Sequence, residues 1–171
     1  MNEAIKKLMG SGQAFDTGPY IKGDIPVGEY AFMPLDSSSK YYSEEDTAGN
    51  IIDNENFDSF GYVYVHNVGN LETNGVLIKV SAFEALGVQG AKEIYEKLNN
   101  IKDYKGSAWY KVGSDIAPGQ YTIESLGECY VAVMSGPVGN SDIIDNNNFK
   151  GKYSVTVSVG QYLKVSRGEI K

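Results

Sequence analysis

The chain has 171 residues, of which 42% are hydrophobic, and it carries a formal net charge of -7 at pH 7. The hydrophobic fraction is enough to form a packed core and excludes wholesale disorder. The negative charge argues against direct binding to a nucleic-acid backbone or to an anionic membrane, because both need a basic protein face. An acidic surface suits a basic protein partner, or simply solubility.

The N-terminal segment, residues 1–17, is expected to form a short helix and a flexible lead. Ile5, Leu8 and Met9 share one face at helical spacing, and GSGQAFDTG at 10–18 is typical of a flexible connection. The first ten residues lack the continuous apolar core of a signal peptide, and no apolar run reaches membrane-spanning length. We therefore expect a cytoplasmic protein, or a surface or secreted one if a leader was removed.

Most of the remaining chain is an internal duplication. The matching segments are DIPVGEY (24–30) with DIAPGQY (115–121), IIDNENF (51–57) with IIDNNNF (143–149), YVYV (62–65) with YSVTV (153–157), and VLIKVS (76–81) with QYLKVS (161–166). Four matches in one order predict a first β repeat at 18–82 and a second at 107–171. The spacing of the last two matches also predicts an insertion of about six residues in the first repeat, at 66–75.

Each repeat predicts about five short strands in a small antiparallel sandwich or barrel. Gly28 and Gly119 occupy the same place in the repeated heptad, so we expect both to adopt positive φ at a turn. Asn54 and Asn146 lie in the repeated DNxNF motif, which predicts an Asx-type turn.

A helical linker, 83–106, separates the two repeats. From Gly90 to Ile101 the apolar residues have the spacing of an amphipathic helix. The predicted fold is therefore mostly β, with two small β domains, a linking helix and a short N-terminal helix.

The segments WYKVGSDIAPGQY and VGQYLKVS resemble a β-rich repeat found in proteins of Gram-positive bacteria and their phages. That family has the pattern Y-K-V-G-x-D-I-P-A-G-x-Y, followed by I-x-x-N-x-x-F and G-Q-Y-L-K. The resemblance implies the β fold, but the family has no settled biochemical activity.

Side chains that could carry catalysis or bind metal are few. His66 is the only histidine and is expected to be a loop residue, and Cys129, the only cysteine, is expected to be a small buried residue. The stretch from Asp53 to Asp58 fails the EF-hand pattern, although a looser calcium site using Asp53, Glu55 and Asp58 stays open. We predict no metal, no cofactor and no enzymatic activity.

The two repeats differ most in an acidic connection, residues 36–58, whose net charge is -6 against -2 for 127–150 in the second repeat. Tyrosines accompany these carboxylates, a combination that favours docking on a basic protein surface. The predicted contact residues are Tyr41, Tyr42, Glu44, Glu45, Asp46, Asp53, Glu55 and Asp58. A solvated acidic loop is the alternative.

Three functions remain open at this stage. The first is a binding module, without catalysis, that docks on a basic protein; a phage-type inhibitor of a nucleic-acid-handling defence protein, similar to an anti-CRISPR protein, would be one such case. The second is a secreted or cell-surface module for adhesion or glycan binding. The third is an enzyme with an unrecognised pair of carboxylates.

Overall fold

Thirteen strands and three helices form within residues 1–36, 39–67 and 69–171, the part of the chain that the computed structural model describes. Ser37 and Ser38, in the acidic connection, and Val68, in the predicted insertion, lie outside the described residues. The helices are α1 (Asn2–Gly10), α2 (Phe83–Leu86) and α3 (Ala91–Asn99), with a 3-10 turn at Val80–Ala82. The strands are β1 (Ala14–Phe15), β2 (Gly18–Tyr20), β3 (Gly28–Met33), β4 (Tyr41–Glu45), β5 (Ile51–Asn56), β6 (Gly61–Val65), β7 (Leu71–Thr73), β8 (Val76–Lys79), β9 (Ala108–Lys111), β10 (Gly119–Met134), β11 (Ile143–Phe149), β12 (Lys152–Val157) and β13 (Tyr162–Ile170).

The strands of the described residues form three antiparallel sheets, which confirms the predicted mostly β fold with a short N-terminal helix and a helix between the β parts. Two four-stranded sheets, β1-β8-β3-β6 and β2-β7-β4-β5, contain the first repeat. The second repeat forms one five-stranded sheet in the order β11-β10-β13-β9, with β12 also paired to β10. Each of the long strands β10 and β13 corresponds to two shorter strands of the first repeat.

Strand pairing corrects one alignment of the repeats. Leu71 pairs with Tyr20 and Glu44, whereas Leu163 pairs with Tyr110 and Val133, the corresponding positions. β7 is therefore the counterpart of the first half of β13, and the predicted match of 76–81 with 161–166 is wrong. The predicted insertion at 66–75 is also wrong, because the number of residues between Leu71 and Leu163 equals the number between the matching positions of the two IIDN motifs. Short strands of similar composition recur within one repeat, so a match over a few residues can align a strand of one repeat with the wrong strand of the other.

The glycines of the repeated heptad have backbone angles that L-residues rarely adopt. Gly28 has φ of 150° and Gly119 has φ of 144°. A Cβ added at either position would meet no heavy atom within 4 Å, so space does not explain the glycine. The backbone turn into β3 and β10 is the requirement that the two copies share.

The heptad tyrosines fasten the same turn. Tyr30 donates a hydrogen bond from its hydroxyl to the carbonyl of Pro26 at 2.7 Å, and Tyr121 donates to the carbonyl of Ala117 at 2.5 Å. Each tyrosine thus reaches back four residues across the bend. Burial raises the pKa of Tyr30 to about 12. In both copies the heptad is therefore a corner that is closed by its own tyrosine.

The predicted Asx-type turns are strands instead. Asn54 lies within β5 and Asn146 within β11, the edge strands of their sheets. Their side-chain amides donate to the hydroxyls of Tyr41, at 3.2 Å, and Tyr130, at 3.0 Å. Pairing with the neighbouring strand provides more hydrogen bonds than a local turn does, so the extended conformation is favoured over the turn.

Asp115, the aspartate of the second heptad, joins the heptad, helix α3 and the first repeat. Its carboxylate accepts hydrogen bonds from the Tyr62 hydroxyl at 2.7 Å, the Lys111 backbone N–H at 2.7 Å and the Lys92 backbone N–H at 2.9 Å. The Tyr62 hydroxyl in turn accepts from the Ala91 N–H at 2.8 Å. The first turn of α3 therefore begins on groups supplied by both repeats.

One buried core contains residues of both repeats, of α1 and of α3. Tyr62 and Tyr110 are fully buried, and Ile5 and Ile94 bring the two helices into the same cluster. The division into segments 1–17, 18–82, 83–106 and 107–171 as separate units stays a prediction.

Replacing Gly28 or Gly119 with Ala should lower the free energy of unfolding by about 1 kcal/mol, because alanine is strained at these φ angles. Urea unfolding measures the change. Gly10→Ala is the matched control, since Gly10 lies in α1 without positive φ and with open space around it. Equal effects at all three positions would contradict the role of the turn.

The stability of the protein should depend on pH through Asp115. Burial, opposed by the three hydrogen bonds, raises the pKa of its carboxyl from 3.8 to about 6 in the folded chain. Between these values the folded state holds a proton that the unfolded state has lost, so this contribution to stability falls as pH rises, by up to about 3 kcal/mol.

Asp115→Asn removes this titration. The stability of the wild type relative to the D115N variant should therefore decline as pH rises from about 4 to about 6, as measured by urea unfolding across that range. A difference that stays constant would show that the three donors keep Asp115 ionised throughout.

Candidate functional site

Two of the predicted contact residues belong to the core. Tyr42 and Glu44 are 0% and 2% exposed. The Glu44 carboxylate receives the His66 backbone N–H at 2.7 Å and lies 2.7 Å from His66 Nδ1. Tyr42 and Glu44 are thus wrong as docking residues, because alternate residues of β4 point inward.

The exposed part of the acidic connection is smaller than predicted. Asp46 accepts backbone hydrogen bonds from Ala48 and Asn50, both at 2.9 Å, and the Asn50 bond holds the pKa of its carboxyl below the ordinary value. Asp46 therefore closes the turn between β4 and β5. Glu45 is half-buried and Asp58 is exposed.

Glu55 and Asp53 face the second repeat. Glu55 Oε2 accepts from Lys164 Nζ at 2.6 Å and from Trp109 Nε1 at 3.2 Å. Asp53 Oδ2 accepts from the Gly139 N–H at 2.8 Å. These two carboxylates therefore hold the repeats together, which no spacing along the chain could indicate.

A second ion pair crosses the same boundary. Glu29 Oε2 accepts from Lys111 Nζ at 3.0 Å and from the Tyr162 hydroxyl at 2.6 Å. The Lys111 ammonium also lies 5.7 Å from the ring centroid of Tyr62 and 5.6 Å from that of Tyr162. Acidic side chains of the first repeat thus pair with lysines of the second in a partly buried interface.

Beside this interface lies an open inter-repeat cleft of about 450 Å³. The lining comes from β5 on one side and, on the other, from β9, β10, β13, the start of β11 and the connection between β10 and β11. The lining residues are Asp53, Asn54, Glu55, Trp109, Tyr130, Met134, Val138, Ser141, Asp142, Ile143 and Lys164.

The inter-repeat cleft combines an aromatic wall with polar groups. Tyr130 is half-buried, and the Lys164 ammonium lies 5.4 Å from its ring centroid and 5.6 Å from that of Trp109. Asn54 and Asp142 are exposed at the rim. A small ligand with hydroxyl groups could exchange hydrogen bonds here and pack a ring against the tyrosine.

The looser calcium site does not form, because Asp53 and Glu55 bind separate partners. No group of three or more His, Cys, Asp or Glu in 1–36, 39–67 and 69–171 is placed to hold a metal ion. Cys129 is buried, as expected for a small apolar residue, and burial raises the pKa of its thiol. Among the described residues, no helix has the length and apolar character needed to cross a membrane.

The sequence reasoning missed Trp109, Tyr130 and Lys164. For Trp109 and Lys164 a signal was available, because position-by-position comparison of correctly aligned repeats puts Pro19 opposite Trp109 and Glu72 opposite Lys164. The single tryptophan of the chain is the more visible of these differences. Tyr130 corresponds to Tyr41, so comparison of the repeats does not single it out.

A family model described as the Rv1352-like extracellular domain matches residues 102–164. The match covers most of the second repeat, and it does not show the Gram-positive and phage repeat family that the motifs resemble. No curated protein and no solved structure matches the chain.

The match corrects the expected location. The cytoplasmic prediction is wrong, because the matched family is described as an extracellular domain, which favours a secreted or surface location. The weak apolar character of the first ten residues was the basis of the cytoplasmic prediction, and it says nothing about a segment removed before them.

Lys164→Met should lower the free energy of unfolding by about 1–3 kcal/mol, because it leaves the Glu55 carboxylate partly buried without its cation. The emission of Trp109, which donates to the same carboxylate, should shift as well. Urea unfolding and intrinsic fluorescence measure the two effects.

Lys105→Met provides the control, since the Lys105–Asp103 pair is mostly exposed and should contribute little. If both lysines contribute equally, the Glu55–Lys164 pair does not hold the repeats together.

Proposed function

We propose that the chain is an extracellular binding domain, without catalytic activity, whose inter-repeat cleft takes a neutral carbohydrate. The cleft carries the proposal: its volume of about 450 Å³ suits one or two sugar rings, within the range of small-ligand sites. The family match to an extracellular domain supports the location in which such a ligand would be met.

The lining favours a carbohydrate over an apolar ligand. Carboxylate and hydroxyl groups from Asp53, Ser141 and Asp142 belong to the same lining as the Tyr130 ring. Sugar hydroxyls both donate and accept, so they can use such mixed partners, while the C–H face of a sugar ring packs on an aromatic side chain.

Charge favours a neutral ligand over an acidic one. Asp53, Glu55 and Asp142 give the cleft three carboxylates against Lys164, and Glu55 already holds that lysine. An added uronate or sialate group would face like charge, whereas a neutral sugar would not. Affinity should depend little on salt, since no net charge is neutralised on binding.

Tyr130→Ala should weaken binding of a neutral polysaccharide by about tenfold or more, because the aromatic wall is lost. Affinity electrophoresis in gels that contain soluble neutral or acidic polysaccharides measures retardation, and Trp109 fluorescence provides a second readout from within the cleft.

Tyr153→Ala is the matched control. Tyr153 is a half-buried tyrosine of the second repeat, as Tyr130 is, yet it packs against Phe149 and does not line the cleft. No retardation by any neutral polysaccharide, or equal loss in both variants, would reject the cleft as a carbohydrate site.

A further inference from the structure

One sheet face is covered by polypeptide in the second repeat, whereas the equivalent face of the first repeat is open. Residues paired directly across an antiparallel sheet lie on one face, so the corrected register identifies equivalent rows. The row in the first repeat is Pro19, Glu72, Ser43 and Asn54, and the row in the second repeat is Trp109, Lys164, Ala132 and Asn146.

In the second repeat this face is covered by polypeptide. Strand β5 of the first repeat lies over it, and Glu55 accepts hydrogen bonds from both Lys164 and Trp109. Trp109 is only 4% exposed as a result. The covered face thus combines an apolar surface with a cation, and the covering strand supplies the carboxylate.

In the first repeat the equivalent face is open and its charge is reversed. Glu72, which corresponds to Lys164, is exposed beside a groove of about 540 Å³. We call this the acidic groove. Its lining residues are Pro19, Tyr20, Ile21, Asp24, Ser43, Glu45, Asn70, Leu71 and Glu72, so three carboxylates and no cation line it within the described residues.

The floor of the acidic groove is apolar, as the covered face of the second repeat is. Leu71 is buried beneath it, Tyr20 is held in place by a 2.6 Å hydrogen bond to the Asp16 carbonyl, and Ile21 is 67% exposed. A large exposed isoleucine beside carboxylates is a feature of contact surfaces.

We propose that the acidic groove docks a basic polypeptide segment, whose lysine or arginine side chains pair with Glu45 and Glu72. The polypeptide would lie over this face as β5 lies over the second repeat, with the two charges exchanged. This site is independent of the inter-repeat cleft and of the carbohydrate proposed there.

A second copy of the chain has the wrong charge for this groove. The covering surface of the first repeat presents Glu29 and Glu55, and its counterpart in the second repeat presents Gln120 and Asn147. Neither offers a cation to Glu45 or Glu72, and the chain has a net charge of -7, so a different, basic chain fits the groove better than a second copy does.

The test uses the full chain and a fluorescent oligolysine peptide as the probe. Fluorescence anisotropy at low and high salt should show binding that weakens as salt rises. The double variant Glu45→Gln/Glu72→Gln should bind roughly five- to tenfold more weakly and show a flatter salt dependence. Both side chains are at the surface of the groove, so the fold should be retained.

The matched control is Glu84→Gln/Glu128→Gln, which removes the same charge from exposed positions outside the groove and should bind like the wild type. Equal weakening in the two double variants would overturn the proposal in favour of diffuse attraction, as would absence of binding at low salt. Sedimentation tests the remaining case: self-association of the wild type that the groove variant abolishes would make the groove an interface between copies.

Discussion

The buried carboxylate of Asp115 is the contact on which the arrangement of both repeats depends. It closes its own heptad through the Lys111 N–H, begins α3 through the Lys92 N–H and receives the hydroxyl of Tyr62 from the first repeat. A Cβ on Gly90 would lie 2.0 Å from Asp115 Oδ1, so the helix can approach this closely only with glycine there. Within the described residues, the side chain of its first-repeat counterpart, Asp24, makes a hydrogen bond only with the Ile21 N–H.

That difference shows how a duplicated unit acquires a structure that neither copy has alone. The heptad corner needs its aspartate in both repeats, and the second copy uses the remaining capacity of the carboxylate to bind the linker and the first repeat. A carboxylate has about four acceptor sites, so three hydrogen bonds can be made without losing the local one. The cost is desolvation, which is why the pKa of Asp115 is raised despite three donors.

Local features could be predicted from the sequence, whereas long-range partners could not. The heptad glycines, the strand-rich repeats and the helix after Gly90 follow from spacing and residue type. The acidic connection was misjudged because the partners of its side chains lie far along the chain: Glu44 binds His66, and Glu55 binds Lys164. Net charge identifies a surplus of carboxylates, but only strand pairing decides which of them turn inward. The repeat register failed for the same reason.

The corrected register changes which differences between the two repeats become visible. When the repeats are aligned by their short sequence matches, they differ mainly in the acidic connection. When they are aligned by strand pairing, they differ on one sheet face, where Lys164 corresponds to Glu72 and Trp109 corresponds to Pro19. Those exchanges let one face close against β5 and leave the other open. The inter-repeat cleft lies at the edge of the closed face, beside an ion pair that is already satisfied, so the recognition proposed there would depend on hydrogen bonds and packing. The acidic groove lies on the open face and has unbalanced charge, so the docking proposed there would depend on salt. A single duplication has thus produced two surfaces of different chemistry, and the ligands proposed for them would be selected by different physical means.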